Sequence, residues 1–213
     1  GLYFADEAIM NMELITSLKK PTGFFDPSNP EGRGSKDLTK NEDEDKVVTT
    51  EKAARSLRSP MLSFSNTDMA FRDDLLVAGS YHGFNMYKID KDGIPNLLSS
   101  IVCPGGQGDV SIVGDLLIMS VEQLRGRLDC GREGVGRDAS PERFRGIRIF
   151  DISDLSRPKQ VGAVQTCRGS HTHSVVSGSS EDGKIIVYNS GTASVRDEEE
   201  LEQCIGNIPG DER

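Results

Sequence analysis

Gly146-Ile-Arg-Ile-Phe-Asp-Ile-Ser153 decides the fold because it repeats Gly83-Phe-Asn-Met-Tyr-Lys-Ile-Asp90 in composition and in context. An Asp-Leu-Leu segment that continues with apolar residues precedes each copy, at 74–79 and 115–120. A Pro-containing segment that ends in Cys follows each copy, at 94–103 and 157–167. Short apolar strands that recur about every forty residues are typical of propeller blades. The sequence therefore predicts an all-β fold, a β-propeller of four-stranded blades.

The repeat divides the chain into three predicted regions. A partial propeller covers 60–213, with blades near 61–103, 108–166 and an incomplete third near 172–213. An acidic, Pro- and Gly-rich linker occupies 26–59. The N-terminal segment 1–25 is predicted to contain a short amphipathic helix over 5–18, with Met10, Leu14 and Leu18 on one face. The predicted strands lie near 61–71, 75–80, 84–90, 97–103, 108–113, 116–121, 146–151, 159–166, 172–177 and 185–190.

Two and a half blades do not close a ring, and propellers typically need four to eight. An open strand edge is also an aggregation hazard. We therefore expect the remaining blades to come from the same gene product or from another chain. In either case we expect this sequence to be a fragment of a larger protein or part of a larger assembly.

Charge and hydropathy exclude several classes of partner. The 25 basic and 34 acidic residues give a net charge of −9, which argues against nucleic acid because its phosphates require clustered Lys and Arg. No apolar run approaches the roughly eighteen residues of a membrane helix. We expect neither a nucleic-acid partner nor a membrane span.

The four cysteines take repeated positions. Cys103 and Cys167 each end the fourth strand of a blade, and Cys130 and Cys204 each lie after a second strand. Those two places meet at one rim of an up-and-down blade, so we predict the disulfides Cys103–Cys130 and Cys167–Cys204. The alternative is four reduced thiols in a cytosolic protein.

The motifs at 143–154 and 158–173, together with the segments 102–111 and 120–130, resemble the LVIVD-repeat family of bacterial secreted β-propeller proteins. The resemblance covers roughly residues 60–205. It implies a propeller fold and a secreted, periplasmic or cell-surface location. It implies no reaction, because the activity of the family is uncharacterised.

Two histidines form a candidate metal site. His171 and His173 are two residues apart, so both point to one face of a strand. Alignment of the repeats places Asp68 and Asp109 level with His173 on the innermost strands. Imidazole and carboxylate groups suit copper, zinc or iron. The alternative is that these side chains bind backbone amides at strand ends.

The insertion at 122–145 interleaves arginines with acidic residues. It could bind a carboxylate, a protein or a glycan, or it could be a surface cap held by a disulfide. The arginines considered are Arg125, Arg127, Arg132 and Arg137.

Two functions remain open from the sequence. The first is an extracytoplasmic propeller that acts as an interaction or structural module, with a binding rim at 104–108, 122–145 and 191–210. The second is a metal-dependent oxidoreductase with its histidine site at the propeller axis, for which copper is one candidate metal beside zinc and iron.

Overall fold

The computed structural model describes residues 6–25, 65–136, 138–177 and 183–205. In these residues the fold is all-β, with strands and no helix. All ten predicted strands are confirmed, with bounds shifted by a few residues at most except at the start of the first. They are β1 (Asn66–Arg72), β2 (Leu75–Ser80), β3 (Gly83–Ile89), β4 (Pro95–Val102), β5 (Gln107–Val113), β6 (Leu116–Val121), β7 (Gly146–Asp151), β8 (Lys159–Gln165), β9 (Thr172–Ser177) and β10 (Ile186–Ser190).

The strands form three antiparallel sheets that follow the chain. The first has the order β1-β2-β3-β4, the second β5-β6-β7-β8, and the third pairs β9 with β10. Tight two-residue turns close the first hairpin of each four-stranded sheet. Asp73 and Gly114 hold these turns with φ angles of 53° and 54°, because hairpin turns that match strand twist need positive φ.

The core lies between the first and second sheets. Alternate residues of each strand point to one face, and Phe84 meets Phe150 edge to face with ring centroids 5.0 Å apart. Burial of these rings and the surrounding aliphatic side chains is the main force that joins the two sheets. The cluster also contains Leu75, Val77, Met86, Val110, Leu117, Met119, Val121, Phe144 and Ile152.

The sheets stack in one direction along the chain. We call the side of a sheet that packs on the next sheet its forward face, and the opposite side its backward face. Val77 on the forward face of the first sheet packs in one core with Leu117 on the backward face of the second. The second sheet contacts the third through β5 and β9. The same relation between neighbouring sheets therefore occurs twice.

Both ends of this stack expose apolar side chains. On the backward face of the first sheet, Met69 is 60% exposed and Phe71 is 58% exposed. On the forward face of the third sheet, Val176 is 60% exposed and Tyr188 is 67% exposed. The equivalent inner positions are buried, so the exposed apolar side chains at the two ends occupy positions that a neighbouring sheet covers elsewhere.

The predicted N-terminal helix is wrong. Residues 6–25 contain no helix, and Asn11 has a φ angle of 58°. Met10, Leu14 and Leu18 are exposed, whereas a helix this short is stable in water only when its apolar face is packed. The segment is held instead by Phe24, which is buried beside His82 with ring centroids 5.9 Å apart.

The whole of the predicted linker at 26–59 lies outside the described residues, as do residues 60–64 at the start of the predicted first blade. The described part of the chain has no helix long and apolar enough to cross a membrane.

Candidate functional site

Three segments meet at one rim of the stacked sheets. They are the turn 103–107 that leads into β5, the insertion 122–145, and the segment 191–205 after β10. The amide of Gln123 donates to the Gly105 carbonyl at 2.8 Å, and the side chain of Arg145 donates to the Ser194 carbonyl at 3.0 Å. The structure therefore brings together the loops that the sequence predicts as a binding rim, as far as residue 205.

Glu122, directly after β6, is the centre of this rim. Its Oε1 accepts hydrogen bonds from the amides of Thr192 and Ala193 at 2.8 and 3.0 Å. Its Oε2 lies 2.8 Å from Nδ1 of His171. Burial raises the pKa of Glu122, but hydrogen bonds from His171 and Thr192 outweigh it and hold the pKa below its usual value. The carboxylate thus fastens the segment after β10 to the second sheet.

Both predicted disulfides are present at this rim. Cys103 is bonded to Cys130, and Cys167 to Cys204. Each bond joins the end of a fourth strand to the segment that follows the second strand of the next sheet. The two bonds are therefore equivalent in the repeat, and they hold the insertion and the segment 191–205 against the strands.

Buried arginines anchor the same segments. Arg143 donates to the carbonyls of Leu124 and Asp138 and pairs with Glu200. Arg148 lies over the Phe144 ring, 4.1 Å from its centroid, and burial lowers its pKa to about 10. These cations bind backbone oxygens inside the protein, so their role is to hold the rim in shape. The set is completed by Arg145 and Arg196.

The arginines predicted as ligand-binding groups are mostly used internally. Arg127 binds Asp129 at 2.9 Å and Glu142 at 2.7 Å, and Arg125 donates to the Tyr81 carbonyl at 3.0 Å. Arg137 lies outside the described residues. This geometry supports a surface cap held by a disulfide rather than an arginine cluster open to an anion.

Asp68 and Asp109 occupy equivalent positions and bind backbone amides. Asp68 accepts from the Val110 amide at 3.0 Å, and Asp109 accepts from the His173 amide at 2.6 Å. Each carboxylate therefore ties the first strand of one sheet to the first strand of the next. Because both donate to an aspartate of the preceding sheet, His173 is the residue equivalent to Val110. The sequence alignment had placed His173 level with Asp109, so that prediction was wrong by one position.

His173 is buried at the contact between the second and third sheets. Its Nδ1 lies 3.0 Å from Asp109 and 2.8 Å from Ser120 Oγ. Burial raises the pKa of Asp109, but hydrogen bonds from the side chain and amide of His173 outweigh it and lower the pKa below its usual value. An ionised carboxylate only accepts, so we assign the Nδ1 proton of His173 to this bond.

The four predicted metal ligands do not converge on one centre. His171 turns to Glu122 and to Gln107, whose Nε2 lies 2.9 Å from Nδ1. His173, Asp109 and Asp68 form the chain of contacts between sheets. The described ranges contain no group of three or more His, Cys, Asp and Glu side chains placed to hold a metal ion. The contacts made by Asp68 and Asp109 are those of the backbone-binding alternative.

Ser120, His173 and Asp109 are close but are not arranged as a hydrolase triad. Such a triad places the serine on one ring nitrogen and the carboxylate on the other. Here both contact Nδ1, and Ser120 Oγ also lies 2.7 Å from Ser170 Oγ. Both serines are buried, so this arrangement gives no accessible nucleophile.

His82 lies in the turn between β2 and β3, where an exposed side chain would be usual. It is fully buried against Phe24. Burial, with a smaller effect from the charges of Arg125 and Arg132, lowers its pKa to about 3. His82 is thus a neutral packing residue that helps to hold the N-terminal segment.

Comparisons with known proteins add little to this geometry. No family model matches the chain, and no curated protein matches it. One similar solved structure is the crystal structure of the computationally designed Ika4 protein, 13% identical, with 60% of this chain and 92% of that chain covered and a TM-score of 0.23. A likeness at this score carries no argument about fold or function.

Proposed function

We propose that this chain is part of an extracytoplasmic β-propeller, of the LVIVD-repeat kind, that acts as an interaction module. Its blades are the three sheets, and its recognition surface is the rim formed by the turn 103–107, the insertion 122–145 and the segment 191–205. Further blades of the same repeat, from the same gene product or another chain, would stack on the two open faces.

The observation that carries this proposal is the contact that recurs between neighbouring sheets. In both cases a forward face meets a backward face. In both cases, too, an aspartate in the first strand of one sheet accepts from a backbone amide in the first strand of the next sheet. A unit that repeats its own interface leaves the same interface open at both ends. The exposed apolar side chains at the two ends, including Phe71 and Tyr188, fit that expectation.

The rim has the properties of a recognition surface. Rigid scaffolds present their binding groups on loops, and here the loops are held by two disulfides and by buried arginines. Leu124 and Leu128 project from the insertion as exposed apolar side chains beside charged neighbours. This mixture suits a protein or glycan partner better than a small anion, because most of the described arginines are already paired.

The two disulfides support an extracytoplasmic location. Structural disulfides persist in oxidising compartments and are rare in the cytosol. Both bonds fasten rim segments, so the proposed recognition surface depends on that compartment.

A metal-dependent oxidoreductase is the competing function, and elemental analysis of natively isolated protein separates the two. The interaction module predicts no stoichiometric copper, zinc or iron. One equivalent of such a metal, lost when His171 and His173 are both changed to Ala, would contradict the interaction module and support the oxidoreductase. The variant Glu142→Gln, at an exposed position away from both histidines, is the matched control.

A further inference from the structure

The third sheet differs from the other two in that its second strand lies at a sheet edge among the described residues. In the first and second sheets the second strand lies between two neighbours, whereas β10 pairs only with β9 among the described residues. An isolated two-stranded ribbon is marginally stable in water. The edge of β10 is therefore a place where a further strand would add stability.

The backbone groups at this edge can be identified. The His171 amide donates to the Ser190 carbonyl at 2.7 Å, so Ser190 turns its polar backbone groups towards β9. Because neighbouring residues in a strand turn these groups to opposite sides, Asn189 and Val187 turn theirs away from β9. Each offers one donor and one acceptor to an added strand.

The internal repeat shows what pairs with these positions elsewhere. Within the first hairpin of each sheet, Met69 is opposite Ala78, Val110 is opposite Met119, and His173 is opposite Asn189. Ala78 and Met119 are in turn paired with β3 and β7. Asn189 is the residue of the third sheet that is equivalent to Ala78 and Met119. By this equivalence, a strand that paired with Asn189 would correspond to β3 and β7, the third strands of the other two sheets.

Strands of that type begin with a glycine for a steric reason. Gly83 and Gly146 have φ angles of 132° and 146°. A Cβ atom at either position would lie 2.0 Å from a carbonyl oxygen of the fourth strand, that of Ile101 or Val164. Only glycine fits so close to the neighbouring backbone.

We propose that the free edge of β10 is a strand-acceptor site for an antiparallel β-hairpin whose first strand begins with glycine. The hairpin would pair through Val187 and Asn189, as in other cases of strand addition to an exposed sheet edge. The inference rests on the strand repeat and does not require a closed ring, so it can fail while the proposed function stands.

The test measures backbone amide exchange by NMR in the whole chain. The probe is a synthetic peptide with the sequence of residues 146–166, which contains the β7–β8 hairpin of this protein. We expect the amides of Val187 and Asn189 to exchange freely alone and about tenfold more slowly with saturating peptide. The Tyr188 amide faces β9 and should change little. The control peptide carries Gly146→Val and should give no protection.

Three results would overturn the proposal. Val187 and Asn189 amides that are already protected in the chain alone would mean that the edge is occupied. Failure of the glycine-containing peptide to protect them would mean that the edge does not accept this hairpin. Equal protection by both peptides would remove the glycine requirement on which the choice of partner depends.

Discussion

At the scale of single residues, Glu122 is the side chain on which the rim contacts converge. Changing Glu122 to Gln keeps the size of the side chain but replaces the charged carboxylate with a neutral amide. The carboxylate accepts hydrogen bonds from Thr192, Ala193 and His171. Hydrogen bonds to charged groups contribute about 1.5–3 kcal/mol, so we expect the free energy of unfolding to fall by about 2 kcal/mol at pH 7. Denaturant titration measures it, with Glu142→Gln at an exposed ion pair as the control.

The same residue gives a pH dependence. The pKa of Glu122 is lowered in the folded protein, so its contribution to stability is present above its ordinary value of 4.5. That contribution is lost as the pH falls through the lower, folded-state pKa. The difference between the wild type and Glu122→Gln should therefore shrink below pH 4.5. A difference that stayed constant down to pH 2 would contradict this account of the carboxylate.

Phe84 and Phe71 provide a matched pair of aromatic residues in the same sheet. Phe84 is buried against Phe150, whereas Phe71 lies on the open backward face. Replacing a buried Phe by Ala costs about 3–5 kcal/mol, while Phe71→Ala in the isolated chain should cost far less. Thermal and denaturant unfolding of both variants check this. Equal losses would mean that the backward face is already covered.

At the scale of elements, the disulfide Cys167–Cys204 holds the segment after β10. Changing both cysteines to Ser opens a loop with a sequence separation of 37, which the chain-entropy model values at about 4 kcal/mol. We expect loss of that stability and faster amide exchange over 191–204, with β2 and β3 unchanged. Uniform exchange changes in all three sheets would show that the bond supports the whole fold instead.

The elements also show where sequence patterns suffice. Strand bounds were predictable because the strands are short segments with apolar residues between polar or Gly- and Pro-containing turns, and because the same pattern recurs in each repeat. The disulfides followed from the same repeat. The lack of a helix over 5–18 was not predictable from the sequence. Met10, Leu14 and Leu18 have helical spacing, but in the structure these side chains are exposed and do not pack on a surface. Periodicity reports a possible apolar face, and tertiary contact decides whether it is used.

The rim was only partly predictable. The loops that form it could be located from the repeat, but the contacts of Glu122 and the burial of Arg143 and Arg148 could not. Charged residues near strand ends usually face solvent. Glu122 instead accepts from backbone amides, and Arg143 and Arg148 donate to backbone carbonyls. Such backbone partners cannot be read from the spacing of side chains in the sequence. The burial of His82 could not be predicted for the related reason that its partner, Phe24, is far away in sequence.

At the scale of the whole molecule, the proposed function requires that the stack of sheets continue at both outer faces. A charge placed on either face should block docking, because desolvating an unpaired cation against an apolar surface is costly. The variants Phe71→Lys and Tyr188→Lys each damage one face and leave the other intact. A second copy of the chain serves as the probe for a neighbouring sheet.

The most direct measurement is the native mass of the wild type, of each Lys variant, and of their mixture. We expect wild-type assemblies above the monomer mass of 23.2 kDa, monomers for each variant, and a heterodimer in the mixture through the two intact faces. A wild type that stays monomeric at its highest soluble concentration, or an assembly that both Lys variants leave unchanged, would contradict this expectation.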